Sequence, residues 1–358
     1  MCKRILASQT NAEGGIPFYK IGTIGGTPDA YISKELFDEY KEKYNYPHKG
    51  EVMITCAGTV GKCVIYDGKD AYYQDSNIVW IDNPSHNISN GFLCHLLSNV
   101  DWRKLNSTTI IRIYNDDLRN LKLNYPLREE QQRISKLLSL LDERIATQNK
   151  IIDKLQSLIK GICNNYFEKL SVQEEANLTR LSDVLKERNE YCTKDGKFIH
   201  GTLSKDGIFP KTGRWDRDFL VKQENKKYKV THLDDICYNP ANLKFGVICR
   251  NTFGDLIFSP IYVTFEVCKN VNIGFMELYL TNHNFIEKVR RFEQGTVYER
   301  MAVSPEDFLS YKIRIPSYSD QTFFYKKVQW LITLSQNEMK LLSQYKKLRQ
   351  YLLREMFI

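Results

Sequence analysis

The sequence predicts an α+β chain: two mixed α/β domains joined by two long antiparallel coiled-coil helices, with a pseudo-two-fold internal repeat. Three observations predict it. A heptad pattern runs through the middle of the chain, and a second long helical pattern closes it. The segments ahead of the two helices resemble each other at a nearly constant offset.

The central helix comes first. Pro126 biases Tyr125 towards an extended backbone, which is a start signal, and Glu129 and Glu130 place negative charge in the first turn, where the helix dipole favours it. Apolar residues follow at Ile134, Leu138, Leu141, Ile145, Ile152, Leu155, Ile159, Ile162 and Tyr166, in steps of four and three, with only Gln148 polar in the seam. Such a seam favours a coiled coil over a surface helix. From Glu129 to Leu170 the helix spans about 60 Å at about 1.5 Å per residue. Leu138, Leu141, Ile145, Ile152, Leu155 and Ile159 are its expected pairing residues.

The C-terminal helix repeats the central one. Pro316 lies 190 residues after Pro126, and without a gap Asp307 falls on Asp117, Gln321 on Gln131, Leu331 on Leu141, Leu342 on Ile152 and Leu352 on Ile162. Val328, Leu331, Leu342 and Leu352 are the expected pairing residues here. Ser335, Glu338 and Arg349 make this seam more polar, which predicts packing through a shifted stripe of Leu334, Leu341 and Leu348.

Upstream, "GEVMITCAGTVGKCVIY" (50–66) resembles "DDICYNPANLKFGVICR" (234–250), each a β-rich run, a turn with a glycine and a second β-rich run. "FLCHLLSNVDWRKL" (92–105) resembles "FMELYLTNHNFIEKV" (275–289), and both read as amphipathic helices. "LTRLSDVLKERNEY" (178–191) has no counterpart, so the first copy is shorter at its start. The boundaries are a first domain at 1–124, a spacer helix at 125–170, a second domain at 171–314 and a second spacer helix at 315–358. A second helix returning antiparallel along the first buries both seams and sets two similar domains in inverse orientation. That arrangement suits a duplex DNA read at two half-sites, with helix length setting the unread gap. The alternative is a dumbbell scaffold for two protein partners.

Composition narrows the chemistry. The 358 residues are 42% hydrophobic and 26% charged, with net charge +8, which permits a polyanionic partner. Nine scattered cysteines without a CxxC pair argue against structural zinc, and Cys56, Cys63 and Cys249 sit in apolar runs as core residues. No apolar run approaches membrane length and no leader follows Met1, so a cytoplasmic protein without membrane contact is expected. "AGTVGKC" is no phosphate-binding loop, because Cys56 stands where its first glycine belongs and Cys63 where Ser or Thr holds magnesium. Tyr238-Asn239-Pro240-Ala241 lacks the second proline and the aromatic with which adenine methyltransferases hold a flipped base. No cofactor, metal site or catalytic residue is expected.

The residues also carry a resemblance. "YPLREEQQRISKLLSLLDERIATQNKIIDKLQSLIKGICNNYF" (125–167) resembles the central spacer of the specificity (S) subunits of type I restriction–modification systems. "GEVMITCAGTVGKC" (50–63), "IPFYKIGTI" (16–24) and "LSDVLKER" (181–188) resemble pieces of their target-recognition domains. The resemblance implies a non-catalytic, sequence-specific subunit that reads a bipartite double-stranded DNA target, one half per target-recognition domain. It also implies recruitment of two methyltransferase (M) subunits, which two motor-nuclease restriction (R) subunits can join.

Candidate DNA contacts follow from residue type, because phosphates take Lys and Arg while base edges favour Arg, Lys, Asn and Gln. In the first domain they are Tyr19, Lys20, Thr23, Lys62, Asn77, Thr108 and Arg112. In the second they are Lys211, Arg214, Trp215 and Arg217 of the loop "KTGRWDRDF", with Lys244, Arg250, Arg290, Arg291, Tyr298 and Arg300.

Overall fold

The computed structural model describes residues 1–75, 77–85, 87–104, 111–174, 176–193, 198–205, 207–211, 227–294 and 301–356. The chain forms two compact units. One combines residues 1–150 with the end of the last helix from Lys340, and the other holds Ile151–Met339.

The first unit carries β1 (Ile16–Tyr19), β2 (Tyr31–Ile32), α1 (Lys34–Lys43), β3 (Val52–Thr55), β4 (Cys63–Ile65), β5 (Tyr72–Tyr73), β6 (Ile78–Ile81), α2 (Asn90–Asn99), α3 (Asn115–Arg119) and the start of α4 (Arg128–Val172). Its strands make two small sheets, ordered β2-β1-β5 and β4-β3-β6. β3 is buried on both faces, so it reads as a continuous apolar run. One face meets Phe18, Phe37 and Tyr72, and the other meets Leu93 and Leu97 of α2. Each such side chain contributes about 1.5–3 kcal/mol on burial. Ser89 caps α2 by accepting from the Phe92 amide at 3.4 Å, and Phe92 and Leu96 pack on Ile134 and Leu138 of α4.

The second unit begins with the end of α4. It adds β7 (Asn177–Arg180), β8 (Leu185–Glu187), β9 (Tyr191–Cys192), β10 (Ile199–Ser204), β11 (Gly207–Pro210), β12 (Tyr228–Thr231), β13 (Ile236–Tyr238), β14 (Ile248–Arg250), β15 (Leu256–Phe258) and β16 (Val263–Val267). Then come α5 (Ile273–Leu280), α6 (His283–Val289), α7 (Pro305–Ser310), β17 (Lys312–Ile315) and α8 (Tyr318–Met356). Its sheets are ordered β11-β10-β15-β12-β9, β14-β13-β16-β8 and β17-β7. Tyr238 and Phe308 stack at 4.9 Å in its core, and Tyr166 of α4 stacks on Phe324 of α8 at 3.7 Å.

The repeat is present in the pairing. Val52 opposes Ile81 in the first unit as Ile236 opposes Phe265 in the second. Two expectations need correction. The second amphipathic helix is broken in two, because Asn282 caps α6 by accepting from the Asn284 amide. Residues 122–125, aligned with β17, form no strand: β17 is held by β7, and the first unit has no such partner among the described residues.

The helix seams also differ from expectation. Leu138 and Val328 are fully buried, Leu141 and Ile152 buried, and Ile145, Leu155, Ile159, Leu331, Leu342 and Leu352 half-buried. The shifted stripe on α8 is covered no better than the aligned seam. Leu348 is 46% exposed and Leu334 and Leu341 are half-buried, whereas Ser335 is buried. Arg349 stays in the seam because its guanidinium donates to both carboxylate oxygens of Asp142 on α4, one of them at 3.2 Å. Buried His95 lies 4.0 Å from the same carboxylate. Burial pulls its imidazole below the ordinary value despite Asp142, so it is neutral there.

Candidate nucleic-acid interface

In the first unit the candidates collect around the tip of the β3–β4 hairpin. Thr55 donates its amide to the Lys62 carbonyl at 3.0 Å and accepts from Gly61 at 2.9 Å. Gly61 is required at this turn: its φ is +82°, and a Cβ there would run into the Trp102 ring. Lys62 donates its ammonium to the Ile24 carbonyl, tying the tip to the turn at 20–24. In that turn the Thr23 hydroxyl accepts from the Lys20 amide at 3.0 Å. Tyr19 leads into it, stacked on Tyr73 at 5.9 Å. Lys20 is paired with Asp29 at 3.1 Å.

Two further segments are strapped to the same tip. Cys56 donates its amide to Asn77 at 2.8 Å and accepts from Ile113 at 2.9 Å. Asn77 and Arg112 therefore flank Cys56. Arg112 has no carboxylate partner among the described residues and lies 5.9 Å from the Tyr114 ring. The Cys56 thiol is pushed up to about 11 by burial, so it is protonated at neutral pH. Thr108 lies outside the described residues.

The second unit repeats the strap. Asn239 donates to the Val247 carbonyl at 3.0 Å, and Val303 donates to Pro240 at 3.3 Å, as Ile113 does to Cys56. Lys244 lies in the hairpin turn Pro240–Phe245, its ammonium 5.3 Å from the ring of Phe245, which is 65% exposed. Lys211 is exposed just after β11. Arg250 is engaged elsewhere. It is 19% exposed, 2.6 Å from Asp234 and 3.6 Å from Glu277. Arg290 is held by Glu287 and Glu293 at 3.4 and 3.5 Å, whereas the adjacent Arg291 is exposed and has no carboxylate partner among the described residues. Arg214, Trp215, Arg217, Tyr298 and Arg300 lie outside the described residues.

Each tip thus presents Lys or Arg beside hydroxyl, amide or aromatic groups. That set can contact phosphates and base edges. It contains no general base–nucleophile pair, and no group of three potential metal ligands occurs among the described residues. Sequence reasoning missed Phe245. Its position next to Lys244 in a Gly-ended turn was the available signal.

The specificity-domain profile of type I restriction modification matches residues 1–157. A putative type I restriction enzyme specificity subunit of Haemophilus influenzae is 49% identical over 166 residues, covering 46% of this chain and 42% of that protein. The chain thus spans less than half the length of that relative. The putative MjaX specificity subunit of Methanocaldococcus jannaschii is 23% identical over 97% of this chain and 87% of its own length. Among solved structures, the type I S subunit from M. genitalium matches all of this chain and 92% of its own, with a TM-score of 0.63 at 17% identity, a likeness of fold. A chain from a type I restriction–modification assembly matches 97% of this chain and 92% of its own, with a TM-score of 0.52 at 14% identity. Residues 1–157 thus match a type I restriction modification DNA specificity domain, and the chain has the fold of type I S subunits.

Proposed function

We propose that the chain reads a bipartite duplex DNA target, one half through each hairpin tip, and recruits methyltransferase subunits without catalysing a reaction itself. The observation that carries this reading is the duplicated strap. The same backbone bonds fix a Lys-bearing hairpin in each unit, from Ile113 to Cys56 and from Val303 to Pro240. Lys62, Arg112, Lys211, Lys244 and Arg291 are the preferred phosphate or base contacts. Arg250 and Arg290 rank lower, because leaving their carboxylates uncompensated costs affinity.

Recruitment is supported by apolar side chains that the helices leave uncovered. Phe323 and Trp330 of α8 are 61% and 66% exposed, and Leu137 and Leu140 of α4 are 44% and 55% exposed. Such surfaces suit helical partners, here two M subunits that R subunits can join.

Exchanging residues 171–314 for those of a relative tests the reading. Methylation mapping should show one half-site changed and the other kept. Both halves altered, or no methylation attributable to the gene, would count against it.

A further inference from the structure

The two hairpin tips differ at one position. Gly61 and Gly246 end the tips at φ +82° and +77°, so the residue before each glycine stands in the same place. In the first unit that residue is Val60, half-buried and packed on the core around Trp102. In the second it is Phe245, which is 65% exposed. An exposed ring forfeits the stabilisation that burial gives, and here it does so on a turn built to hold it out.

The turn that carries Phe245 is rigid. Pro240 opens it, and the buried Asn239 caps it, its side-chain oxygen accepting from the Ala241 amide at 3.1 Å. Asn242 donates to the Asn239 carbonyl at 3.0 Å, and Gly246 to the Leu243 carbonyl at 2.8 Å. Leu243, two residues before the ring, is fully buried and pins the turn to the core. Val303 holds Pro240 from the strap side, and the Tyr238 hydroxyl donates to the Val303 carbonyl at 3.1 Å. The Lys244 ammonium stands 5.3 Å from the centre of the exposed ring. The backbone entropy of placing this ring is therefore lost on folding and not on binding.

A phenylalanine has no atom that hydrogen-bonds a base edge. Beside a cation that takes a phosphate, its ring has two uses on duplex DNA: contact with a thymine methyl, or insertion between stacked base pairs. A methyl contact covers one part of the ring. Insertion covers both faces and so recovers more of the burial that the exposed position gives up.

We propose that Phe245 is a wedge that enters a base step of the second half-site, with Lys244 on an adjoining phosphate. This deepens the DNA reading proposed above and rests on it. The wedge partly unstacks the step, so the second half-site is selected in part by how cheaply that step opens, as pyrimidine–purine steps do. Val60 gives the first hairpin no such wedge at this position, and the first half-site is read without it.

The test uses the complex assembled with methyltransferase subunits and a duplex carrying the target located by methylation mapping. Phe245→Ala should weaken binding to that duplex about tenfold to a hundredfold. Binding to unrelated duplex and the slope against salt should stay unchanged, because no phosphate contact is lost. Phe245→Trp should keep the affinity. A target with an unpaired base at the step should restore binding by the alanine variant, since that DNA is already unstacked. The side chain is exposed, so these changes leave the fold intact, and equal melting temperatures check this.

Unchanged affinity for the target in the alanine variant would overturn the wedge while leaving the DNA reading in place. An equal loss on target and unrelated duplex would overturn it too, making Phe245 a backbone contact. So would a loss of methyltransferase assembly in the absence of DNA, which would make the ring a protein contact. An unaltered complex that fails to distinguish target from unrelated duplex would overturn the DNA reading itself, and the wedge with it.

Discussion

Gln131 and Gln321, 190 positions apart, make the same hydrogen bonds in their respective units. Each carboxamide oxygen accepts from the N-cap amide of a recognition-domain helix, Ser89 at 2.7 Å and Asn272 at 2.8 Å. Each carboxamide nitrogen donates to the proline that precedes its own long helix, Pro126 and Pro316, at 2.9 Å. Both side chains are buried, with 1% and 2% exposure. One residue thereby fixes where each long helix starts against its domain.

Gln131→Ala and Gln321→Ala should each destabilise the unit that holds them by about 2–4 kcal/mol, because buried amide and carbonyl groups lose their partners. Urea unfolding followed separately for the two units reads this. Gln131→Glu should recover part of the loss, since its oxygen still accepts from Ser89. A loss below about 0.5 kcal/mol in both alanine variants would make the clamp energetically idle.

His95 and His232 predict opposite pH responses. The folded value of His95 lies below 6.5 because of burial. The unfolded chain therefore takes up its proton first, and this contribution to stability is present above 6.5 and lost as pH falls. Replacing His95 with Asn should flatten the decline in melting temperature between neutral pH and about pH 5.5.

His232 works the other way. Burial lowers its value, but Asp255 at 2.8 Å and Glu190 at 3.1 Å outweigh burial and raise it above 6.5. Its contribution is complete below 6.5 and fades as pH rises through the raised value. His232→Gln should lower the stability of the second unit more in mildly acidic than in alkaline buffer. An equal loss at both would remove the ion pairs from the account.

Lys244→Ala and Lys62→Ala should weaken DNA binding by the assembled complex on all sequences and lower the slope of log affinity against log salt by about one each. Arg250→Ala should behave differently. It frees Asp234 and the half-buried Glu277, so the second unit loses stability while the salt slope stays constant. The same slope change in all three variants would place Arg250 on the DNA.

Much of the fold was legible because it repeats. The hairpins, the proline turns and both long helices follow from local pattern and from the shared offset. The α8 seam was misread for a physical reason. Periodicity registers Arg349 as a polar interruption, but its partner Asp142 lies 207 residues earlier, and no local pattern reports that pairing. Lys and Arg candidates suffer from the same limit. Composition marks Arg250 and Lys244 alike, and only the fold brings Asp234 and Glu277 to one of them.

The first unit needs α8 to be complete: Leu353 closes over Ile134, Leu138, Phe92 and Leu96. On the ribosome this means that residues 1–150 wait for residues 340–358. At about 5–20 residues per second, the stretch between Lys150 and Lys340 takes roughly 10–40 s to synthesise. Throughout that interval the apolar face of the nascent α4 has no lid, while Ile151–Met339 can already close on itself. Truncation within residues 340–358 therefore damages the first unit, and chaperone demand falls on the unit whose larger part is translated before the second.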